Sequence, residues 1–223
     1  MDAESTRQSL GLSGDWKIIE RNYVLIEAIG AGSFGKVVKA RCKHTDIVVA
    51  VKFIDEFADY NYDCVKILRE ICLLKGVHEN SKNGSSCYFP ELIDVVLPIG
   101  SSEESIRKIF IVMEYESSDL RKLLSIGKKC RLEESHVILI MYNLLCALKY
   151  MHSLNIVHRD IKPSNILINK DCQIKICDLG LARTLPESCI GGGSGNSKRI
   201  RDSILKHGYS KTYSKQGLRD LVS

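Results

Sequence analysis

The sequence predicts an α+β fold, and three observations carry that prediction. Between Tyr23 and Tyr115 short β-branched runs alternate with turn-forming clusters. A single amphipathic helix interrupts them, and beyond Tyr115 the pattern turns helical. With 223 residues, 44% apolar and 26% charged, the chain has enough side chain to bury a core and is neither collagen-like nor disordered.

Residues 1–15 are polar, contain Ser and Gly, and read as a loose lead-in, with the first 22 residues set apart from the strands beyond them. Tyr23–Ile29, Val37–Ala40 and Ile47–Ile54 are expected as three strands joined by hairpin turns. From Asp63 to Lys75, Ile67, Leu68, Ile71 and Leu74 recur at helical spacing. Polar loops at Glu79–Ser86 and Gly100–Ser105 bracket a strand at Leu92–Leu97, and Lys108–Met113 forms another. A short helix is expected at Asp119–Leu124 and a long one at Leu132–Met151, with Glu133 and Glu134 in its first turn where the helix dipole favours acids. The middle of that helix, VILIMYNLLCAL, is apolar almost all round and so expects cover on every side. A loop at His158–Asn165 and strands at Ile166–Ile168 and Gln173–Cys177 lead into a tail rich in Gly, Ser and Lys.

The net charge of +5 sits mostly in that tail, which after Arg183 carries seven Lys/Arg against three acids. A basic tail on a near-neutral body suits a segment that meets an acidic group. It does not suit nucleic acid, because Tyr209 and Tyr213 are the only aromatics among its basic residues. Nine scattered cysteines without a C-x-x-C pair indicate reduced thiols rather than a disulfide framework or zinc ribbon. Asp2, Glu4, Asp15 and Glu20, with no long apolar run in the first 30 residues, lead to the expectation of no secretory signal and of an unmodified Asn83-Gly84-Ser85 sequon. The apolar run Val137–Leu148 is too short to span a bilayer.

Gly30-Ala31-Gly32-Ser33-Phe34-Gly35 is a G-x-G-x-x-G. A Rossmann turn would lead into a helix, whereas Lys36-Val37-Val38-Lys39-Ala40 reads as a return strand. A P-loop would continue Gly-Lys-Ser/Thr, and here Val37 follows Lys36. What remains is a glycine hairpin between antiparallel strands, either a plain turn or one whose bare backbone covers a triphosphate. Val49-Ala50-Val51-Lys52 places an ammonium on a strand otherwise suited to burial. Glu70 lies within the apolar stripe of the Asp63–Lys75 helix, and a carboxylate there needs a partner, for which Lys52 is the natural choice.

His158-Arg159-Asp160-Ile161-Lys162-Pro163-Ser164-Asn165, followed by Asp178-Leu179-Gly180 at a strand end, is the strongest signal. Phosphoryl transfer asks the protein for positioning and charge neutralisation rather than covalent help. In such chemistry Asp160 accepts the proton of an attacking hydroxyl, Lys162 meets the transferring phosphoryl group, and Asn165 and Asp178 hold the Mg²⁺ ions that bridge ATP phosphates.

From about Tyr23 to Arg183 these residues resemble a eukaryotic protein kinase, and HRDIKPSN with Lys162 resembles the Ser/Thr kinases. LREICLL around Glu70, MEYESSDLRKLL from Met113 and DLGLAR from Asp178 resemble the mitogen-activated protein kinase group. The resemblance implies a two-lobed kinase fold, with residues 23–115 as the sheet lobe and 116–183 as the start of the helical lobe with the catalytic loop. It implies ATP and Mg²⁺ as cofactors. The adenine pocket would be roofed by Ile29, Val37 and Ala50, floored by Leu167 and gated by Met113, with backbone hydrogen bonds from Glu114 to Glu116. Asp119 matches the position that meets the ribose, and the glycine hairpin from Gly30 through Lys36 covers the phosphates. Cys177 would lie near ATP, or be an inert buried thiol. Protein substrates with Ser/Thr sites of Ser/Thr-Pro type, an upstream activating kinase, and a cytoplasmic location that extends to the nucleus are also expected.

The sequence departs from the group after Gly180. Leu179 replaces the usual Phe, and neither T-x-Y nor A-P-E appears, since Thr212 and Tyr213 are adjacent. Residues 184–223 read as a basic activation-segment insertion, and Arg159, which in relatives grips the activation-loop phosphate, has no evident partner. The chain is therefore expected to be an incomplete kinase domain. The competing reading is a catalytically silent nucleotide-binding or decoy module.

Overall fold

The computed structural model describes residues 3–32, 35–55, 61–79, 88–98, 108–126 and 132–185. Ser33, Phe34, the sequon, most of the two polar loops and all of the basic segment beyond Leu185 lie outside the described residues. The chain divides into two compact units. One takes in the chain up to Cys64 together with Leu92–Tyr115; the other takes in Val65–Glu91 and the chain from Glu116.

The first unit is built on a five-stranded antiparallel sheet of β1 (Tyr23–Gly32), β2 (Gly35–Cys42), β3 (Val48–Ile54), β4 (Leu92–Val96) and β5 (Ile109–Glu114), in the order β1-β2-β3-β5-β4. Its register fixes what each face carries. Val38, Val51 and Val112 align across three strands, and Phe53 stands opposite Phe110. All belong to one buried cluster with Leu25, Ala40 and Val49. Alternation then places Val37, Lys52 and Ile111, with Ala50 and Met113, on the opposite face.

The expectation of a loose lead-in is corrected here. Ala3–Ser9 forms helix α1, and Gly14–Arg21 a 3₁₀ segment that carries Trp16 and Ile19 into the buried cluster. Trp16 meets Phe110 edge-on with ring centroids 5.1 Å apart, and lies 5.8 Å from Phe53. The sheet's Val38–Phe110 face needs a cover, and this segment supplies it. Polar ties hold both of its ends: Arg7 to Glu20 at 2.6 Å, and Asp15 to Lys108 at 3.0 Å.

In the second unit, α2 (Asn61–Glu79) buries Ile67, Leu68, Ile71 and Leu74, the positions its spacing predicts, but also Arg69, Glu70, Cys72, Leu73 and Val77, so its burial reaches beyond the one predicted stripe. After α3 (Leu120–Ile126), α4 (Glu134–Ser153) opens on a reciprocal cap. The His136 backbone N–H donates to the Glu133 carboxylate, and the Glu133 N–H donates to His136 Nδ1 at 3.1 Å. Two small sheets complete the unit. Strand β6 (Ser118–Asp119) pairs with β8 (Ile166–Ile168), which pairs with β9 (Ile174–Ile176), and β7 (Ile156–Val157) pairs with β10 (Arg183–Thr184).

Helix α4 also departs from expectation. It packs on β7 and β9 along a single buried stripe, Ile140, Ala147 and Met151. Val137, Ile138, Met141, Tyr142 and Leu145 are exposed, so cover on every side is not found among the described residues. An all-round apolar sequence states what a helix tolerates, while its neighbours decide which stripe is covered. No helix among the described residues is long and apolar enough to cross a membrane.

Candidate active site

In the first unit, sequence-predicted residues gather on one face of the sheet. Val37 stands opposite Lys52, Ala50 opposite Met113, and these four share the face turned away from Trp16. The glycine run ends β1 and starts β2, with Gly30 paired to Val37, Ala31 to Lys36 and Gly32 to Gly35. A register shift between Ala28 and Gly30 sets Ile29 at a bulge just before the glycines.

Gly35 is the position where glycine is compulsory. Its φ is +125°, and a Cβ there would lie 2.0 Å from the Phe53 carbonyl oxygen. Gly35→Ala is therefore expected to lose about 1–3 kcal/mol of stability, read as a lowered urea midpoint with unchanged slope. An unchanged midpoint would refute the close approach. Lys36 sits on the other side of the pleat from Val37, and its ammonium donates to the Gly11 carbonyl. Its side chain is thus committed to the N-terminal segment rather than to the Val37–Lys52 face.

In the second unit, considered by itself, the predicted residues lie in a knot of loops. Pro163–Asn165 forms one 3₁₀ turn whose proline takes an early position, where a missing N–H costs nothing. Asn165 is buried, and its Nδ2 donates to the Asp160 carbonyl at 3.0 Å and to Asp160 Oδ2 at 3.2 Å. Lys162 Nζ donates to that same Oδ2 at 2.7 Å. The Cys177 N–H donates to the Asn165 carbonyl at 3.0 Å, tying the end of the β9 strand to the loop. His158, 1% exposed, completes the circuit. It accepts the Asp160 N–H at Nδ1, so its Nε2–H is left to donate to the Cys177 carbonyl at 3.0 Å. Asp160, Lys162, Asn165 and Cys177 are thereby brought together by named bonds within one unit.

The charges respond to this geometry. The Lys162 ammonium, hydrogen-bonded to Asp160, holds that carboxyl below the ordinary carboxylate value, with Asn165 adding to the effect. The same bond raises Lys162, and the field of Asp178 raises it further. Asp178 and Arg159 both sit at positive φ, +64° and +67°. The turn after Asp178 is gripped from two sides: Arg69 of α2, itself buried, donates to the Gly180 carbonyl at 2.7 Å, and Arg159 Nε donates to the Leu181 carbonyl at 2.8 Å. Leu179 is buried at 1% exposure, so its replacement of the usual Phe keeps an apolar side chain in a dry place.

Sequence reasoning missed Arg69: at helical spacing it falls on the side opposite Ile67, Ile71 and Leu74, so periodicity gives no sign that it is buried. Asp119 sits on β6 opposite Leu167, and its Oδ1 accepts the Lys122 N–H at 2.8 Å, opening α3. Glu116 pairs with Lys175 at 3.3 Å, both nearly buried. Lys52 lies in the first unit, and Glu70, 5% exposed, in the second.

A divalent cation fits the donors that remain. Asn165 spends its Nδ2 on Asp160, which leaves Oδ1 as the amide's acceptor. The Asp178 carboxylate is a second hard oxygen donor of the kind Mg²⁺ takes when phosphates and water fill its other positions. Among the described residues no group of three or more His, Cys, Asp or Glu forms a metal site unaided.

An antiparallel glycine-hairpin sheet together with this Asp–Lys–Asn loop defines a class. The protein kinase domain family matches residues 23–191, and the chain belongs to that family. Mitogen-activated protein kinases are among its relatives. It is 38% identical over 164 residues to mitogen-activated protein kinase 13 of Oryza sativa subsp. indica, covering 72% of this chain and 30% of that protein. It is 38% identical over 192 residues to mitogen-activated protein kinase 7 of Arabidopsis thaliana, covering 86% and 47%. It is 38% identical to extracellular signal-regulated kinase 1 of Dictyostelium discoideum, covering 74% and 29%. The chain thus spans less than half the length of each of these relatives.

Proposed function

We propose that this chain carries the phosphoryl-transfer residues of a protein Ser/Thr kinase of mitogen-activated protein kinase type, transferring the γ-phosphoryl group of ATP to protein hydroxyls. The observation that carries the reading is the Asp160 carboxylate held by Lys162 and Asn165, within a loop locked by His158 and Cys177. A base for a Ser or Thr hydroxyl must be ionised and fixed in direction, and both conditions are met at Oδ2.

Lys162, already at that carboxylate, supplies the positive charge for the phosphoryl oxygens as they move toward the acceptor. Asn165 Oδ1 and Asp178 are assigned to Mg²⁺, which when bound neutralises charge on the ATP phosphates. Lys52 orients the phosphates and Glu70 is assigned as its counter-charge. Val37, Ala50, Met113, Ile29 and Leu167 are assigned to the adenine ring, the backbone of Glu114–Glu116 to its edge, Asp119 to the ribose, and the glycines from Gly30 to Gly35 to the phosphates. The substrates are proteins bearing Ser/Thr-Pro sites, and an upstream kinase is the activator.

Incubation with radiolabelled ATP, Mg²⁺ and a Ser/Thr-Pro peptide tests this reading. Label on the peptide that disappears with EDTA is expected. Nucleotide binding without transfer, with peptide and Mg²⁺ saturating, would favour the silent module instead.

A further inference from the structure

The N-terminal segment holds the strand that leaves the glycine hairpin, and it does so through a carbonyl whose direction is fixed. Helix α1 ends at Ser9, and the residues just after it close a Schellman motif. The Gly11 N–H donates to the Gln8 carbonyl at 2.9 Å, and the Leu12 N–H donates to the Arg7 carbonyl at 3.0 Å. Gly11 sits at φ +61°, the left-handed conformation this motif requires. Leu12 then drops into the buried cluster beside Trp16, with Leu10 packed against it. Arg7, 5% exposed, is clamped to Glu20 at 2.6 Å.

Each of these contacts fixes Gly11 on a different side, and none uses its carbonyl oxygen. That oxygen receives the Lys36 ammonium. Lys36 directly follows Gly35, whose backbone runs against the Phe53 carbonyl, and directly precedes Val37, which stands on the Lys52 face.

We propose that residues 3–21 are a positioning strap for the glycine hairpin, and that Lys36 is the positioning residue through which the strap acts. The strap holds the start of β2 from the Trp16 side of the sheet. It thereby sets how well the glycines and Val37 are ordered on the Lys52 side before any nucleotide arrives. This rests on the reading that the hairpin meets ATP, and it assigns Lys36 a role toward the N-terminal segment rather than toward phosphate. A strap of this kind gives the sequence ahead of the sheet a means of tuning nucleotide affinity without touching the nucleotide.

The test uses the whole chain. Lys36→Met keeps the stem and removes the donor, Gly11→Val disfavours φ +61° and so turns the carbonyl away, and Lys36→Arg keeps a donor. Amide exchange over Gly35–Val38, measured without nucleotide, is expected to quicken about five-fold in Lys36→Met and in Gly11→Val, and to stay near wild type in Lys36→Arg. The dissociation constant of a fluorescent ATP analogue is expected to rise by about the same factor in the first two. In the double variant Lys36→Met/Gly11→Val it should rise no further, because both changes cut one link. Circular dichroism checks that each variant folds. Wild-type exchange in Lys36→Met, or multiplying affinity losses in the double variant, would overturn the proposal, the second because Lys36 would then act on the nucleotide itself. If the wild-type chain binds no nucleotide, the ATP reading fails alone, and exchange in the nucleotide-free chain still decides whether the strap exists.

Discussion

Asp160→Asn is expected to lower kcat for peptide phosphorylation by about 10²–10⁴-fold, the range for loss of a positioned general base, while ATP affinity stays within about twofold. Asparagine keeps the shape of the side chain, so Asn165 can still donate to the backbone carbonyl of residue 160. What disappears is the negative Oδ2, the atom that receives both Lys162 Nζ and Asn165 Nδ2. An amide there has no basic oxygen to take a hydroxyl proton, and if its nitrogen turned toward Lys162 two donors would face each other. The pH profile gives an independent check. Because Lys162 holds the Asp160 carboxyl below its ordinary value, the base is already ionised across the neutral range. No acidic limb from this group should therefore appear in wild-type kcat between about pH 5 and 8. Single-turnover kinetics at saturating ATP and peptide isolate the step. Equal rates in variant and wild type would remove Asp160 from the chemistry, and an acidic limb that vanishes in the variant would mean the carboxyl is not held down by Lys162.

Much of this site was legible because its residues lie close together in the chain. Asp160, Lys162 and Asn165 are within six positions, so a local turn brings them together and spacing alone reports it. The strands were legible in the same local way, as β-branched runs at Val37–Ala40 and Ile47–Ile54, but those runs do not alternate cleanly, so which residues share a face follows only from the pairing. What stayed hidden depends on distant backbone. The side of the pleat that Lys36 occupies has a use only because Gly11 lies above it, 25 residues away. The bond from Arg69 to Gly180 crosses 111 residues. The N-terminal helices were hidden by composition. Their Ser and Gly content reads as loop, yet Gly11 closes a helix cap, and a 3₁₀ segment of eight residues is too short for its apolar positions to declare a period. The sequence's only tryptophan, followed by Ile18 and Ile19, was the available sign that this segment had something to bury. Helix α4 erred in the other direction, since hydropathy records apolar positions without recording which of them neighbours reach.

Trp16→Ala is expected to destabilise the first unit by about 3–5 kcal/mol, the range for truncating a buried large aromatic. Trp16 is 1% exposed and touches both members of the Phe53–Phe110 stack, whose centroids are 4.6 Å apart. Removing the indole takes apolar surface from both rings at once, and the gap cannot close easily. The segment that bears it is pinned by Arg7–Glu20 on one side and Asp15–Lys108 on the other, so the backbone is not free to sink toward the sheet. A loss of that size is a large share of the roughly 5–15 kcal/mol that holds a typical domain together. Chemical denaturation followed by far-UV circular dichroism measures it, since the variant has no tryptophan left to report by fluorescence. Amide exchange adds the location: protection should fall throughout β2, β3 and β5, where the cluster residues Val38, Val51 and Val112 align. A loss below about 1 kcal/mol, the size typical of surface changes, would mean that residues 3–21 only lie on the sheet. A loss in the expected range makes them part of its core. In that case a fragment cut at Tyr23, where the family match begins, would lack one wall of its own fold.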